Sequence, residues 1–137
     1  MGKLESIEWS DQYKTGIRVI DSQHAFLFTL TDRLIRQVNE KQDISLGSTL
    51  DQVLDYADQH FSYEEKVLRQ AHYHELPEHH KMHIKIKEQL GTYVNEMKQG
   101  KLTAEKLVEF LKNWLKMHIL AEDMKYTSVV KDITGLN

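Results

Sequence analysis

Apolar residues recur through most of this chain at alternating steps of three and four positions, which is the spacing of helices that bury one face. This pattern predicts four long helices, over residues 22–40, 46–70, 77–99 and 104–120, and a short further helix over 122–131. No segment predicts a strand. Long helices joined by short loops predict an all-α chain folded as an antiparallel, up-down-up-down four-helix bundle.

The predicted helix ends depend on residues with known terminal preferences. Asp21 and Thr103 are predicted N-caps, because short polar side chains accept hydrogen bonds from the free amides of a first turn. Pro77 suits the first turn of the third helix, and Gly100 suits its end.

The first stretch, residues 1–20, has apolar side chains without a sustained helical period, and Gly16 interrupts it. It predicts an extended N-terminal arm. Its aromatic residues, Trp9 and Tyr13, are expected to lie along the outside of the bundle.

Each predicted inner face is interrupted by residues of the types that bind metals. They are His24 on the first helix, His60 and Glu64 on the second, His79 and His83 on the third, and His118 followed by Asp123 on the fourth. A buried imidazole or carboxylate without a partner costs several kcal/mol, so these groups must satisfy each other or a shared cation. A metal centre is the simplest explanation.

The number of candidate ligands indicates two metal ions. Two octahedral ions offer about twelve coordination positions. The histidines would fill about five of them, and two carboxylates that each bridge both ions would fill about four more. A bridging solvent oxygen would take about two more and leave roughly one position open, on the ion with fewer histidines. An open position in an apolar pocket is a place for a small ligand.

The spacing of the last two candidates does not fit an ideal helix. His118 and Asp123 are five residues apart, which places them about 140° apart around a regular helix. The sequence therefore predicts a local irregularity between Ile119 and Asp123, either a π-type turn or a break.

Composition narrows the class of protein. The chain has 137 residues, which fits a single domain over 1–137. A net charge of -3 favours neither nucleic acid nor an anionic membrane. The chain has no cysteine, which excludes disulfides and thiolate metal sites, so any metal must be held by nitrogen and oxygen. No signal peptide or membrane span is evident, and the expected location is cytoplasmic.

These residues resemble the haemerythrin family, and within it the bacteriohaemerythrins. The motifs that carry the resemblance span nearly the whole chain: Trp9 with GIRVIDSQH ending at His24, HFSYEE from His60, HHKMH ending at His83, and WLKMHILAED ending at Asp123. The resemblance implies a non-haem di-iron protein that binds O2 reversibly in a four-helix bundle and is not an enzyme.

The resemblance also implies a role for each candidate. His79, His83 and His118 would bind one iron, and His24 and His60 the other. Glu64 and Asp123 would bridge the two Fe ions together with an oxo or hydroxo group. O2 would bind end-on to the iron with two histidines and be held as hydroperoxide. Leu115 and Ile119, which flank His118, are expected to form the wall of the O2 pocket.

Two other functions remain open. One is a sensory module of a signalling system that responds to O2 or NO. The other is a di-iron oxidase or peroxidase, although ferritin-like oxidases use four carboxylates with paired Glu-x-x-His motifs, which are absent here. A monomer is expected, and its redox or signalling partner is unknown.

Several polar residues near the candidates have ordinary explanations. His72, His74 and His80 lie off the inner faces and are expected on the surface. Glu65 is expected to face water and pair with Arg69, one helical turn later.

Overall fold

The chain forms four long helices in a computed structural model that describes residues 4–119 and 123–126. They are α1 (Arg18–Asn39), α2 (Leu46–Gln70), α3 (Leu76–Lys98) and α4 (Ala104–Asn113). Helix α1 packs against α2 and α4, and α2 packs against α3. No strand occurs within the described ranges. The predicted all-α four-helix bundle is therefore confirmed.

The predicted bounds of α2 are confirmed, and those of α3 differ by one residue at each end. Thr103 caps α4 as predicted, because its side chain accepts a hydrogen bond from the Lys106 amide at 3.1 Å. The predicted start of α1 was wrong. The helix begins at Arg18, so that Asp21 lies in its first turn instead of preceding it.

The Asp21 carboxylate ties the N-terminal arm to α1. Its Oδ1 accepts from the Thr15 amide and from the Thr15 hydroxyl, each at 2.8 Å, and its Oδ2 accepts from the Gly16 amide at 3.0 Å. Gly16 has a φ of 86°, a conformation that glycine adopts without steric cost. Asp21 thus anchors the turn that leads into the helix.

The predicted outside position of the arm's aromatic residues was wrong. The Tyr13 side chain is buried, and its ring lies 4.7 Å from that of Phe28. The half-buried Trp9 meets Phe28 edge-on at 5.4 Å and also lies 6.3 Å from the His24 ring. The arm therefore extends the core along one side of α1.

The buried apolar residues form two clusters. The larger one runs through all four helices and includes Leu34, Phe61, Leu90 and Leu107. The smaller one gathers the start of α1, the end of α2 and two tyrosines: Ile17, Ile20, Val67, Leu68, Ala71, Tyr73 and Tyr126. The buried polar side chains lie between these clusters, since Phe61 of the larger contacts His83 and Tyr126 of the smaller contacts His79.

Helix α4 continues as a π turn over Trp114–His118, and a 3-10 turn follows at Asp123–Tyr126. This π turn lies before the interval between Ile119 and Asp123, in which a π-type turn or a break was predicted. That interval falls on residues 120–122, so the irregularity at this position stays a prediction. A π turn accommodates about one extra residue. Residues 120–122 lie outside the described residues, as does most of the short helix predicted over 122–131.

A membrane-spanning helix is not found: none of the helices in the described ranges combines the length and apolar character that a span requires.

Candidate metal centre

The side chains predicted to bind metal come together in the middle of the bundle. Each of the predicted histidines and both carboxylates is at most 6% exposed, and Glu64 and Asp123 are fully buried. Helix α1 contributes one of these residues, α2 and α3 two each, the π turn one, and the 3-10 turn the last. The convergence predicted from helical phase is therefore present in the structure.

The side chains form two groups that share Glu64. One group is Glu64, His79, His83 and His118, and the other is His24, His60, Glu64 and Asp123. In each group the candidate ligand atoms all lie within 4.8 Å of one another. This arrangement offers two adjacent cation positions.

The two oxygens of Glu64 face different groups. Its Oε1 lies 2.6 Å from Nε2 of His79 and 2.9 Å from Nε2 of His83. Its Oε2 points the other way, 3.7 Å from Nε2 of His60 and 3.9 Å from Nε2 of His24. A carboxylate in this position can contribute one oxygen to each of two ions.

The two oxygens of Asp123 also face different groups. Its Oδ1 lies 3.0 Å from Nε2 of His118 and 3.4 Å from Nε2 of His79. Its Oδ2 lies 3.1 Å from Nε2 of His24. Both carboxylates therefore span the space between a three-histidine group and a two-histidine group.

The spacing of these atoms suits ligands of shared ions. Two ligands at right angles around a metal are about 3 Å apart when each bond is roughly 2.1 Å. The separations above range from 2.6 to 3.9 Å around this value, and Nε2 of His24 lies 2.9 Å from Nε2 of His60. The donor set of imidazole nitrogens and carboxylate oxygens is also one that iron accepts.

Buried polar atoms without hydrogen bonds support the same interpretation. Nε2 of His83 and both side-chain oxygens of Asp123 are buried and make no hydrogen bond within the described part of the chain. Nε2 of His83 lies 2.9 Å from Oε1 of Glu64 without a hydrogen bond between them. Such atoms are costly unless a cation satisfies them. The residues present thus fit a pair of metal ions.

The electrostatic environment keeps the main ligand atoms available. Burial and the neighbouring His24 lower the pKa of His60 to about 3, so its imidazole is neutral near pH 7. Burial raises the pKa of Glu64, but His60, His79 and His83 outweigh burial and hold that pKa well below its usual range. Neutral imidazoles and ionised carboxylates are the forms that bind metals.

His79 and Asp123 show how the charge is balanced without a metal. Burial lowers the pKa of His79, but the hydrogen bond and charge of Glu64 outweigh burial and raise it. Burial and Glu64 both raise the pKa of Asp123, and the facing His118 and His24 outweigh them and lower it. A proton on His79 thus offsets part of the negative charge of the two carboxylates.

Two residues that sequence analysis missed orient candidate ligands. The amide oxygen of Gln23 lies 2.6 Å from Nδ1 of His60. Oε2 of Glu65 lies 2.7 Å from Nδ1 of His83, and its Oε1 lies 2.7 Å from Nδ1 of His80. The prediction that Glu65 faces water and pairs with Arg69 was therefore wrong. Partners of this kind fix the ring orientation and tautomer of a metal-binding histidine.

A third missed residue is Tyr126. Its buried hydroxyl donates a hydrogen bond of 2.6 Å to Oε2 of Glu64. Burial, with the charges of Glu64 and Asp123, raises the pKa of Tyr126 well above its ordinary value. Its position three residues after Asp123 was the available signal, because residues three apart lie on one side of a 3-10 turn.

The predictions for the other histidines are confirmed, whereas those for the O2 pocket are not tested. His72, His74 and His80 are exposed, as predicted. Leu115 and Ile119 are buried in the larger apolar cluster, and their role as an O2 pocket wall stays a prediction. A groove of about 660 Å³ reaches His118 from the surface, and its lining includes Met82, Ile86, Phe110, Trp114 and Met117.

Comparison with known proteins gives a consistent result. The family described as "Hemerythrin HHE cation binding domain" matches residues 15–130. A protein named Bacteriohemerythrin from Stenotrophomonas maltophilia is 29% identical over 123 residues, which cover 90% of this chain and 80% of that protein. A Bacteriohemerythrin from Clostridium acetobutylicum is 30% identical over 126 residues, which cover 86% of this chain and 96% of that protein. A Hemerythrin-like protein from Naegleria gruberi is 28% identical over 123 residues, which cover 89% and 92% respectively.

Proposed function

Because this chain belongs to the haemerythrin HHE cation-binding family, we propose that it binds O2 reversibly at a pair of iron ions. The observation that carries the proposal is that each buried carboxylate has one oxygen facing the three-histidine group and the other facing the two-histidine group. Two ions held by shared carboxylates are the arrangement that this division favours.

The residues have distinct roles in this proposal. His79, His83 and His118 would hold one iron and His24 and His60 the other, and the two groups would share the carboxylates of Glu64 and Asp123. The two-histidine group supplies one imidazole fewer than the other group, so the iron that it would hold would have room for a small ligand. When bound, the iron pair would supply the electrons for the reversible reduction of O2.

The surroundings favour ligand binding over turnover of an organic substrate. Phe61 stacks on the His83 ring at 3.9 Å, and the buried Leu115 and Ile119 lie on either side of His118 in sequence. These apolar side chains limit the access of water, which protects a reduced metal centre from proton-assisted oxidation. The groove that reaches His118, on the side of the three-histidine group, is lined mainly by apolar side chains.

The test is anaerobic loading with Fe(II), followed by exposure to air and removal of O2. We expect about two irons per chain and a charge-transfer absorption band that appears with O2 and disappears on deoxygenation. His83→Ala should lose iron, because it removes a buried candidate ligand. His74→Ala is the matched control, since this histidine is exposed.

Three results would refute the proposal. A folded protein that takes up no iron under these conditions would remove the metal centre. Equal iron loading of His83→Ala and wild type would remove the assigned ligand set. Irreversible oxidation with turnover of an added reductant would favour a di-iron oxidase.

A further inference from the structure

The hydroxyl of Tyr126 donates a hydrogen bond to Glu64, one of the two candidate bridging carboxylates. The Tyr126 side chain is fully buried in the smaller apolar cluster, and its ring lies 5.7 Å from the His79 ring. Packing on both sides fixes the ring, so the position of the hydroxyl is set by the fold.

The direction of the hydrogen bond follows from the chemistry of the two groups. A carboxylate that holds a metal ion is ionised, and an ionised carboxylate only accepts hydrogen bonds. The Tyr126 hydroxyl, at 2.6 Å from Oε2, is therefore the donor. A hydrogen bond to a charged acceptor is about twice as strong as one between neutral groups.

Tyr126 acts on the oxygen that faces the two-histidine group. Oε1 of Glu64 is approached by His79 and His83, whereas Oε2 is approached by the hydroxyl at 2.6 Å and by His60 and His24 only at 3.7 and 3.9 Å. The hydroxyl therefore holds Oε2 in place on the side where a second ion would lie.

The turn that carries Tyr126 also carries the other carboxylate. Asp123 and Tyr126 are the first and last residues of the 3-10 turn Asp123–Tyr126. One short element thus supplies Asp123 and the hydrogen bond that positions Glu64. The two carboxylates are coupled through it.

We propose that Tyr126 is a positioning residue for the iron pair, which keeps Glu64 in its bridging orientation and favours the reduced irons by withdrawing charge from this carboxylate. This inference rests on the proposed di-iron function. A donor to an anionic ligand lowers the charge available to the metal and so stabilises the less positive oxidation state.

The test compares Tyr126→Phe with wild type after loading with Fe(II). The substitution keeps the ring and removes the donor. We expect the reduced form to be disfavoured about tenfold, which is a fall of about 59 mV in a one-electron reduction potential. The oxidation rate in air should rise, and the absorption spectrum of the Co(II)-loaded protein should change.

The matched control is Tyr73→Phe. Tyr73 is in the same apolar cluster, its ring lies 6.0 Å from that of Tyr126, and its hydroxyl donates to Glu75 at 3.2 Å. This substitution removes the same kind of group from the same cluster without touching Glu64. The potential of this variant should equal that of wild type.

Replacement of Tyr126 by 3-fluorotyrosine gives an independent measurement if the Phe variant folds poorly. Its more acidic hydroxyl is a stronger donor, so the potential should rise above that of wild type. Potentials that are the same for the variants and wild type, or that change in the opposite order, would overturn the inference. A wild-type protein that binds no iron pair would instead refute the proposed function.

Discussion

Glu65→Gln should weaken metal binding although Glu65 is not a candidate ligand. The change keeps the size of the side chain and one acceptor oxygen, and removes the negative charge that faces Nδ1 of His83 at 2.7 Å. Burial raises the pKa of Glu65, but its hydrogen bonds with His83 and His80 outweigh burial and lower it, so the carboxylate is ionised near pH 7.

The magnitude follows from the difference between two kinds of hydrogen bond. A bond to a charged group contributes about 1.5–3 kcal/mol and a neutral one about 0.5–1.5 kcal/mol. The loss at His83 is therefore about 1–1.5 kcal/mol, which is roughly tenfold in metal affinity. The second bond, to the exposed His80, contributes little because water competes with it.

The assay is an anaerobic competition for Fe(II) between the protein and a chelator. The control is Glu96→Gln, which makes the same change in charge at a carboxylate paired with Lys106 at 2.8 Å. We expect about tenfold weaker binding for Glu65→Gln and no change for the control. If both variants bind iron as wild type does, Glu65 does not support His83 and the reasoning fails.

Other substitutions test the buried charges and the backbone. His118→Ala leaves Asp123 with fewer facing imidazoles and should cost roughly 3–5 kcal/mol, seen as a lower thermal midpoint of the metal-free protein. The pKa of His60 is lowered from 6.5 to about 3, so only the unfolded chain binds this proton between those values. The contribution of His60 to the free energy of unfolding is thus fully present above pH 6.5 and should fall by about 1.4 kcal/mol per pH unit as the pH is lowered toward 3. Urea unfolding of His60→Leu should not show this fall. Gly91→Ala, inside α3 with nothing within 4 Å of the added carbon, should stabilise the fold by about 0.5–1 kcal/mol. Gly100→Ala, at a φ of +72°, should destabilise it by about 1–2 kcal/mol, and chemical unfolding of both variants would show the opposite signs.

Helices α2 and α3 could be predicted from sequence because the necessary information is local. An apolar period and a terminal residue such as Pro77 are properties of neighbouring positions, and the buried seams follow from them. The convergence of His60, Glu64, His79 and His83 could be predicted for the same reason. Each is in phase with the apolar seam of its own helix.

The start of α1 could not be predicted in this way, because two arrangements use the same residue. Asp21 would be a good N-cap, but its carboxylate also satisfies the Thr15 and Gly16 amides when the helix starts earlier. The second arrangement allows Ile17 and Ile20 to be fully buried against the end of α2. Tertiary packing therefore overrides the local capping preference.

The residues that hydrogen-bond the candidate histidine ligands lie beside the inner faces of the helices, so an analysis of those faces alone does not find them. Consecutive residues of a helix point about 100° apart, so a neighbour of an inward-facing ligand points toward the flank of the bundle. Gln23 follows this rule next to His24, as does Glu65 next to Glu64, and each reaches a histidine of the next helix: His60 on α2 and His83 on α3. The identity of the acceptor is visible in the sequence, but its partner depends on how two helices are rotated against each other. A polar residue directly beside a predicted ligand is therefore a candidate to hydrogen-bond a metal-binding histidine, even where its position on the helix predicts that it faces solvent.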